Sequence, residues 1–155
     1  MYFHGVREHL IFTPNGRLAF IQQVPGNRHD VQGLYALLKT SFQGALLGDC
    51  AYQPNPTQEA QLRSHGIRMH AAQKSNARQP RPAYLRQWLH DRRSKVERRI
   101  ALFDDQFCAQ RTLNRSLRHF LARRWTKALA HNCSRYINAA RHLPLESVAH
   151  FHAAA

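Results

Sequence analysis

The stretch Ala45-Leu46-Leu47-Gly48-Asp49-Cys50-Ala51-Tyr52 constrains this chain more than any other. Ala45 to Leu47 is a short apolar run that suits a buried strand, and it stops at a glycine followed at once by a carboxylate. Glycine lets the backbone turn with little steric penalty. Asp49 is therefore expected just past the carboxyl end of the strand, the edge where open α/β sheets bind ligands and ions. Asp is also common as a turn residue or helix cap, so this segment alone leaves both roles open. A second carboxylate, Glu97, stands in a later helical stretch that is otherwise crowded with Arg and Lys.

Around this stretch the elements follow in a readable order. Tyr2 to Phe12 reads as a strand, Thr13-Pro14-Asn15-Gly16 as its turn, and Leu18 to Val24 as the returning strand of a hairpin. Pro25-Gly26-Asn27 breaks the pattern, and Asp30 is placed to cap a helix over about 31–41 whose apolar face is Leu34, Leu37 and Leu38. After the strand Ala45 to Gly48, Pro54-Asn55-Pro56 is a rigid break. Thr57 then caps a short helix to His65, Gly66 stops it, and Ile67 to His70 is another strand. Residues 73–82 form a polar, basic loop with Lys74, Arg78 and Arg81, suited to phosphate contact or simply solvated.

From Ala83 the texture is helical. Leu85, Leu89, Val96, Ile100 and Phe103 supply the apolar positions of a long helix over 83–104. A second helical region covers 110–138, with Leu113, Leu117, Phe120, Leu121, Trp125, Leu129 and Ile137 as its apolar residues. Its polar side carries Arg111, Arg115, Arg118, Arg123, Arg124, Lys127 and Arg135, a face that either tracks a phosphate backbone or is merely solvated. The tail after Pro144 is expected to be weakly ordered. A hairpin, then helix–strand–helix–strand, then a helical block predicts a mixed α/β fold with one sheet and parallel crossovers between the later strands.

At 155 residues the chain is one domain or most of one, and an apolar share of 43% is enough for a core. Lys plus Arg number 23 against 9 Asp plus Glu, a formal net charge of +14. Most of that excess is Arg, which binds phosphate bidentately better than Lys does. A basic domain with interspersed aromatics points to nucleic acid, with loose binding to anionic surfaces as the bland alternative. Three cysteines without paired metal-ligand spacing argue against a disulfide framework and fit a reducing cytoplasm. No apolar run approaches the ~20 residues of a membrane span, and the first residues lack the pattern of a signal peptide.

Two carboxylates brought beside a basic surface can hold Mg²⁺, a hard cation that shares oxygen ligands with phosphates. A pair of such ions activates a water or sugar hydroxyl and stabilises the leaving oxygen of an in-line phosphodiester displacement. Arg93 lies four residues before Glu97, on the same helix face. It either orients that carboxylate, meets a phosphate, or forms an ordinary helix salt bridge worth about a few tenths of a kcal/mol. The 11 histidines are scattered without compact ligand spacing, so a metal centre built on them is disfavoured.

The ordered set of motifs resembles the catalytic domain of bacterial insertion-sequence DDE transposases, over about residues 2–138. Phe3-His4-Gly5-Val6-Arg7-Glu8-His9 resembles the family's aromatic-x-Gly-x-basic-x-His strand, followed by a turn at Asn15-Gly16. Pro25-Gly26-Asn27-Arg28-His29-Asp30 resembles the loop ending in His-Asp. Leu46-Leu47-Gly48-Asp49-Cys50-Ala51-Tyr52 resembles the strand that bears the second catalytic Asp. Arg92-Arg93-Ser94-Lys95-Val96-Glu97 resembles the Arg-x-x-x-Glu segment, with Leu102, Phe103 and Phe107 at the apolar positions behind it. Asn138 lies where the final helix of the family usually ends in Ile-Asn.

The resemblance implies a ribonuclease-H-like mixed sheet followed by a C-terminal helical block, and three acids that bind Mg²⁺ or Mn²⁺. It implies DNA, as element ends and target, for partner, with a homodimer left open. Asp49 corresponds to the second acid, Glu97 to the third, and Arg93 to the arginine that precedes the Glu. Lys74, Arg78, Arg81 and Arg92 are the candidate DNA contacts. The departures are specific. The first catalytic Asp belongs to a strand upstream of the one that opens this sequence, and neither Asp30 nor Glu8 matches it. His90 stands where relatives often have Tyr, Asp104 where they often have Lys, and Cys50-Ala51 replaces a basic-Gly pair. With its first strand missing, residues 1–138 read as a partial catalytic domain, inactive alone and poorly soluble because a sheet edge is exposed. Residues 139–155 read as a tail. A non-catalytic basic nucleic-acid-binding protein is the alternative, with Asp49 and Glu97 incidental.

Overall fold

The computed structural model describes residues 5–74, 77, 79–108 and 116–146. Readings that fall on 1–4, 109–115 and 147–155 lie outside these residues, among them Phe3, His4, Arg111, Leu113, Arg115 and most of the tail. The hairpin forms where alternating β-prone residues flank the Asn-Gly turn. β1 (Val6–Phe12) and β2 (Leu18–Pro25) pair as a two-stranded sheet. In the turn, the Thr13 N–H donates to the Arg17 carbonyl at 2.8 Å, and Gly16 takes a left-handed φ of +82° that a side chain would resist.

The chain divides into two compact units, residues 1–9 with 22–96 and residues 10–21 with 97–155. In the first, α1 (Asp30–Leu34) is followed by a separate 3-10 turn, Leu37–Lys39, in place of the single helix expected over 31–41. Gly33 weakens the helix at its centre, although Leu34 and Leu37 are buried as expected. Asp30 is the first helical residue and not the cap; His29 precedes it. β3 (Gly44–Gly48) and β4 (Ile67–Ala71) lie parallel, with Gly44 opposite Ile67 and Gly48 opposite Ala71. They are joined by a 3-10 turn, Cys50–Tyr52, and by α2 (Pro56–Ser64).

The cap of α2 is Asn55, not Thr57. The Asn55 side chain accepts from the Gln58 N–H while Gln58 Oε1 accepts from the Asn55 N–H, both at 2.9 Å, and Pro56 takes the first helical position. α2 ends as expected at His65 and Gly66, whose φ of +76° suits a glycine after a helix.

The parallel crossover between the later strands forms as the order of elements predicts, and the chain is a mixed α/β protein. The single sheet does not form among the described residues: β1–β2 and β3–β4 are two separate two-stranded sheets. Sequence order fixes how many strands there are and how their connections run, but not which distant edges share hydrogen bonds.

α3 (Ala83–Gln106) spans the helix expected over 83–104, with Leu89 and Phe103 buried. The second unit packs Leu18, Phe103 and Ala128 with Leu10, Phe12 and Phe107. His131 sits among three aromatic rings, Phe12, Phe103 and Phe107, at centroid distances of 5.6–5.9 Å, and bonds the Gly16 carbonyl through Nε2 at 3.0 Å. The hairpin turn is held by further side chains. Arg99 donates to the Thr13 and Pro14 carbonyls, and Arg135 donates to those of Asn15 and Leu145.

α4 (Leu117–Ala140) starts at Ser116, whose hydroxyl accepts from the His119 N–H. Its buried face differs from the one expected. Arg124, Ala128, His131, Ser134, Arg135 and Asn138 are buried, whereas Trp125 and Leu129 are exposed. Arg124 lies over the Phe103 ring at 5.2 Å, and Lys127 donates to the Cys108 carbonyl. Three of the cations read as a polar face are thus engaged inside this unit. The core face is polar because the turn carbonyls need donors once water is removed. No helix among the described residues is long and apolar enough to cross a membrane.

Candidate functional site

Asp49 stands where the sequence places it, directly after the carboxyl end of β3. It is the N-cap of the turn Cys50–Tyr52, and its Oδ1 accepts the Ala51 N–H at 2.9 Å. The capping role and the sheet-edge position, alternatives in the sequence, coexist in one residue. Gly48 serves a different purpose from the one expected. Its φ is not left-handed; a β-carbon there would press on the Met69 methyl and lie 3.3 Å from Tyr52 Cβ. The glycine makes room for Tyr52 to fold back beneath the strand end.

A polar cluster in the same unit went unassigned in the sequence. Arg7 and His9 sit two apart on β1 and so point to one face. Arg7 Nη1 donates to Asp30 Oδ1 at 2.7 Å and to the Arg28 carbonyl at 2.9 Å, fastening the Pro25–Asp30 loop. His9 is buried, and its Nδ1 lies 2.5 Å from the Tyr52 hydroxyl. Burial pushes the Tyr52 hydroxyl up to about 12, with the Asp30 and Asp49 charges adding to the rise, so it stays protonated at neutral pH. Burial also lowers the His9 pKa, against a smaller opposing pull from Asp30. We assign this contact to a neutral imidazole whose Nδ1 accepts from the Tyr52 O–H. The signal available in the sequence was the basic-x-His spacing, but a spacing of two does not name its distant partners.

α3 carries Arg92, Arg93 and Glu97, all exposed, with Arg93 and Glu97 one turn apart. The unit boundary falls immediately before Glu97, so Asp49 and Glu97 belong to different units. The Arg92 guanidinium lies 5.5 Å from the centroid of the exposed Trp88 ring. Lys74 is exposed, and Arg78 lies outside the described residues. Arg81 is half-buried: its Nη1 donates to the Ala71 carbonyl at 2.6 Å and its backbone N–H to Gln73 Oε1 at 2.8 Å, so it closes the loop after β4.

A hard divalent cation wants several oxygen ligands. Asp49 offers a partly exposed carboxylate with one oxygen steadied by a backbone N–H, and Glu97 offers an exposed one. Both are donors of the right class. No group of three or more His, Cys, Asp or Glu side chains among the described residues is placed to hold a metal ion. Individual carboxylate ligands are present, and a complete ligand set is not.

No curated protein and no solved structure matches the chain. A family model described as the transposase DDE domain matches residues 2–133. That span takes in the hairpin, both two-stranded sheets, all of α3 and most of α4. The chain belongs to the transposase DDE domain family.

Proposed function

We propose that this chain is the C-terminal part of a DDE transposase catalytic domain, ribonuclease-H-like in architecture, for metal-dependent DNA cleavage and strand transfer at insertion-sequence ends. The observation that supports this most is Asp49 capping the turn after β3, at the edge of a parallel strand pair, in a chain of this family. Residues 1–138 are the partial catalytic domain and 139–155 its tail. DNA is the partner, a homodimer is compatible with the reading, and the compartment is the cytoplasm.

In this reading Asp49 and Glu97 are ligands for Mg²⁺ or Mn²⁺. The metal would supply activation of the attacking oxygen and stabilisation of the leaving one. Arg93 steadies the Glu97 carboxylate or a phosphate beside it. Lys74, Arg78, Arg81 and Arg92 neutralise the DNA backbone, Arg81 with the donors that its bond to Ala71 leaves over. No residue of these 155 matches the family's first acid. The chain alone is therefore inactive: supercoiled DNA stays intact in Mg²⁺, and nicking that Asp49→Ala abolishes would overturn the inactivity.

The second reading, a non-catalytic nucleic-acid-binding protein, is favoured by the lack of a three-ligand group among the described residues. It predicts salt-sensitive binding that neither metal removal nor loss of both carboxylates changes.

A further inference from the structure

Three separate contacts converge on the short turn that carries Asp49. The Tyr52 N–H donates to the Asp49 carbonyl at 3.2 Å, closing the turn on itself. The Tyr52 side chain passes against the bare Cα of Gly48, where a β-carbon would lie 3.3 Å from its Cβ and Cδ2. Its hydroxyl ends 2.5 Å from His9 Nδ1, with the two rings edge to face at 79° and 5.6 Å. His9 cannot retreat. A β-carbon on Gly33 would lie 2.6 Å from His9 Nε2 and 2.7 Å from its Cγ, so α1 presses its glycine flat against the imidazole. Residues far apart in sequence thus hold one side chain in place.

The cost of this arrangement is visible. His9 is 5% exposed, and its Nε2 is buried without a hydrogen-bond partner. Leaving a buried polar atom unsatisfied is costly, so a residue wanted only for packing would be better as an aromatic hydrocarbon. What the imidazole provides and a phenyl ring cannot is a fixed acceptor for the Tyr52 hydroxyl.

We propose that His9 and Tyr52 form a positioning pair for Asp49: their hydrogen bond fixes the Cys50–Tyr52 turn, and with it the direction of the Asp49 carboxylate. This rests on the reading of Asp49 as a metal ligand. Neither His9 nor Tyr52 touches the metal or the DNA; both act through the turn. Partners that orient a metal ligand in this way typically matter about 10–100-fold in metal affinity.

The test uses the full ¹⁵N-labelled chain with Mn²⁺ as a paramagnetic probe. In the unaltered chain Mn²⁺ broadens the amide signals of Asp49, Cys50 and Ala51 selectively, and Asp49→Asn abolishes this. Tyr52→Phe removes only the hydroxyl; the midpoint of broadening is expected to rise by about tenfold, and the Ala51 amide, bonded to Asp49, to exchange faster. His9→Asn keeps an acceptor near the position of Nδ1 and should weaken binding less than His9→Leu, which a purely structural role does not predict. An unchanged Mn²⁺ midpoint and unchanged Ala51 exchange in Tyr52→Phe, with Asp49→Asn still abolishing the broadening, would overturn the positioning role alone. Broadening that survives Asp49→Asn would instead remove the metal reading, while Ala51 exchange would still decide whether the pair orders the turn.

Discussion

The carboxamide of Asn132 pairs with both backbone polar groups of Leu18: Oδ1 accepts the Leu18 N–H and Nδ2 donates to the Leu18 carbonyl, each at 2.9 Å. A helix side chain here does what a neighbouring strand would do, satisfying the first residue of β2. Asn132→Ala leaves a partly buried donor and acceptor unmade, and at about 1–3 kcal/mol for each unsatisfied group should lower unfolding free energy by about 2–4 kcal/mol. Denaturant unfolding measures this, and a loss below about 0.5 kcal/mol, the range of ordinary surface changes, would show that water replaces the carboxamide.

Two buried histidines make stability depend on pH. The pKa values of His9 and His131 are both lowered, in each case first by burial; the Gly16 bond partly offsets this at His131 and the Asp30 charge at His9, while Arg135 and Arg7 lower them further. A folded-state pKa below the unfolded value near 6.5 means that the unfolded chain binds more protons between the two, so stability rises with pH there. Melting temperature should be highest above about pH 7 and fall as pH drops from about 6.5 to 5. His131→Leu should flatten part of that slope while lowering stability at neutral pH through loss of the Gly16 bond. A chain more stable at pH 5 than at pH 7.5 would contradict the assignment of neutral rings.

The basic residues separate into those exposed at the surface and those engaged inside the fold. Lys74 and Arg92 are exposed, whereas Arg124 and Arg135 are buried. Lys74→Ala and Arg92→Ala should each reduce the slope of log binding constant against log salt by about one without changing the melting temperature. Arg135→Met should destabilise the fold, since two backbone carbonyls lose their donor, and leave the salt slope of the folded fraction unchanged. Equal effects of all three substitutions on the slope would show that burial does not sort these side chains.

Much of the backbone was legible in the sequence because its signals are local. The Asn15-Gly16 turn, the apolar run into Asp49, the stop at Gly66 and the span of α3 each depend on residues a few positions apart. What was not legible depends on distant partners. The buried face of α4 was misassigned because Arg124, His131, Arg135 and Asn138 look like surface residues until the hairpin carbonyls and the Phe103 ring are placed beside them. Gly33 lies inside the stretch read as one helix, and nothing local reveals that the His9 ring presses on it. In the candidate site the carboxylates could be picked out by strand end and motif, but the His9–Tyr52 bond joins residues 43 positions apart.

The most direct test of the proposed function is DNA binding at fixed ionic strength with and without Mg²⁺, comparing the unaltered chain with the double variant Asp49→Asn, Glu97→Gln. Mg²⁺ should tighten binding by the unaltered chain, because a divalent ion held by these carboxylates would offset their negative charge beside the phosphates. The double variant should bind at least as tightly without metal, having lost two negative charges, and show no response to Mg²⁺. Binding by the unaltered chain that is the same with and without Mg²⁺, and unmoved by the double substitution beyond the charge effect, would contradict the metal-dependent reading and leave a non-catalytic nucleic-acid-binding protein.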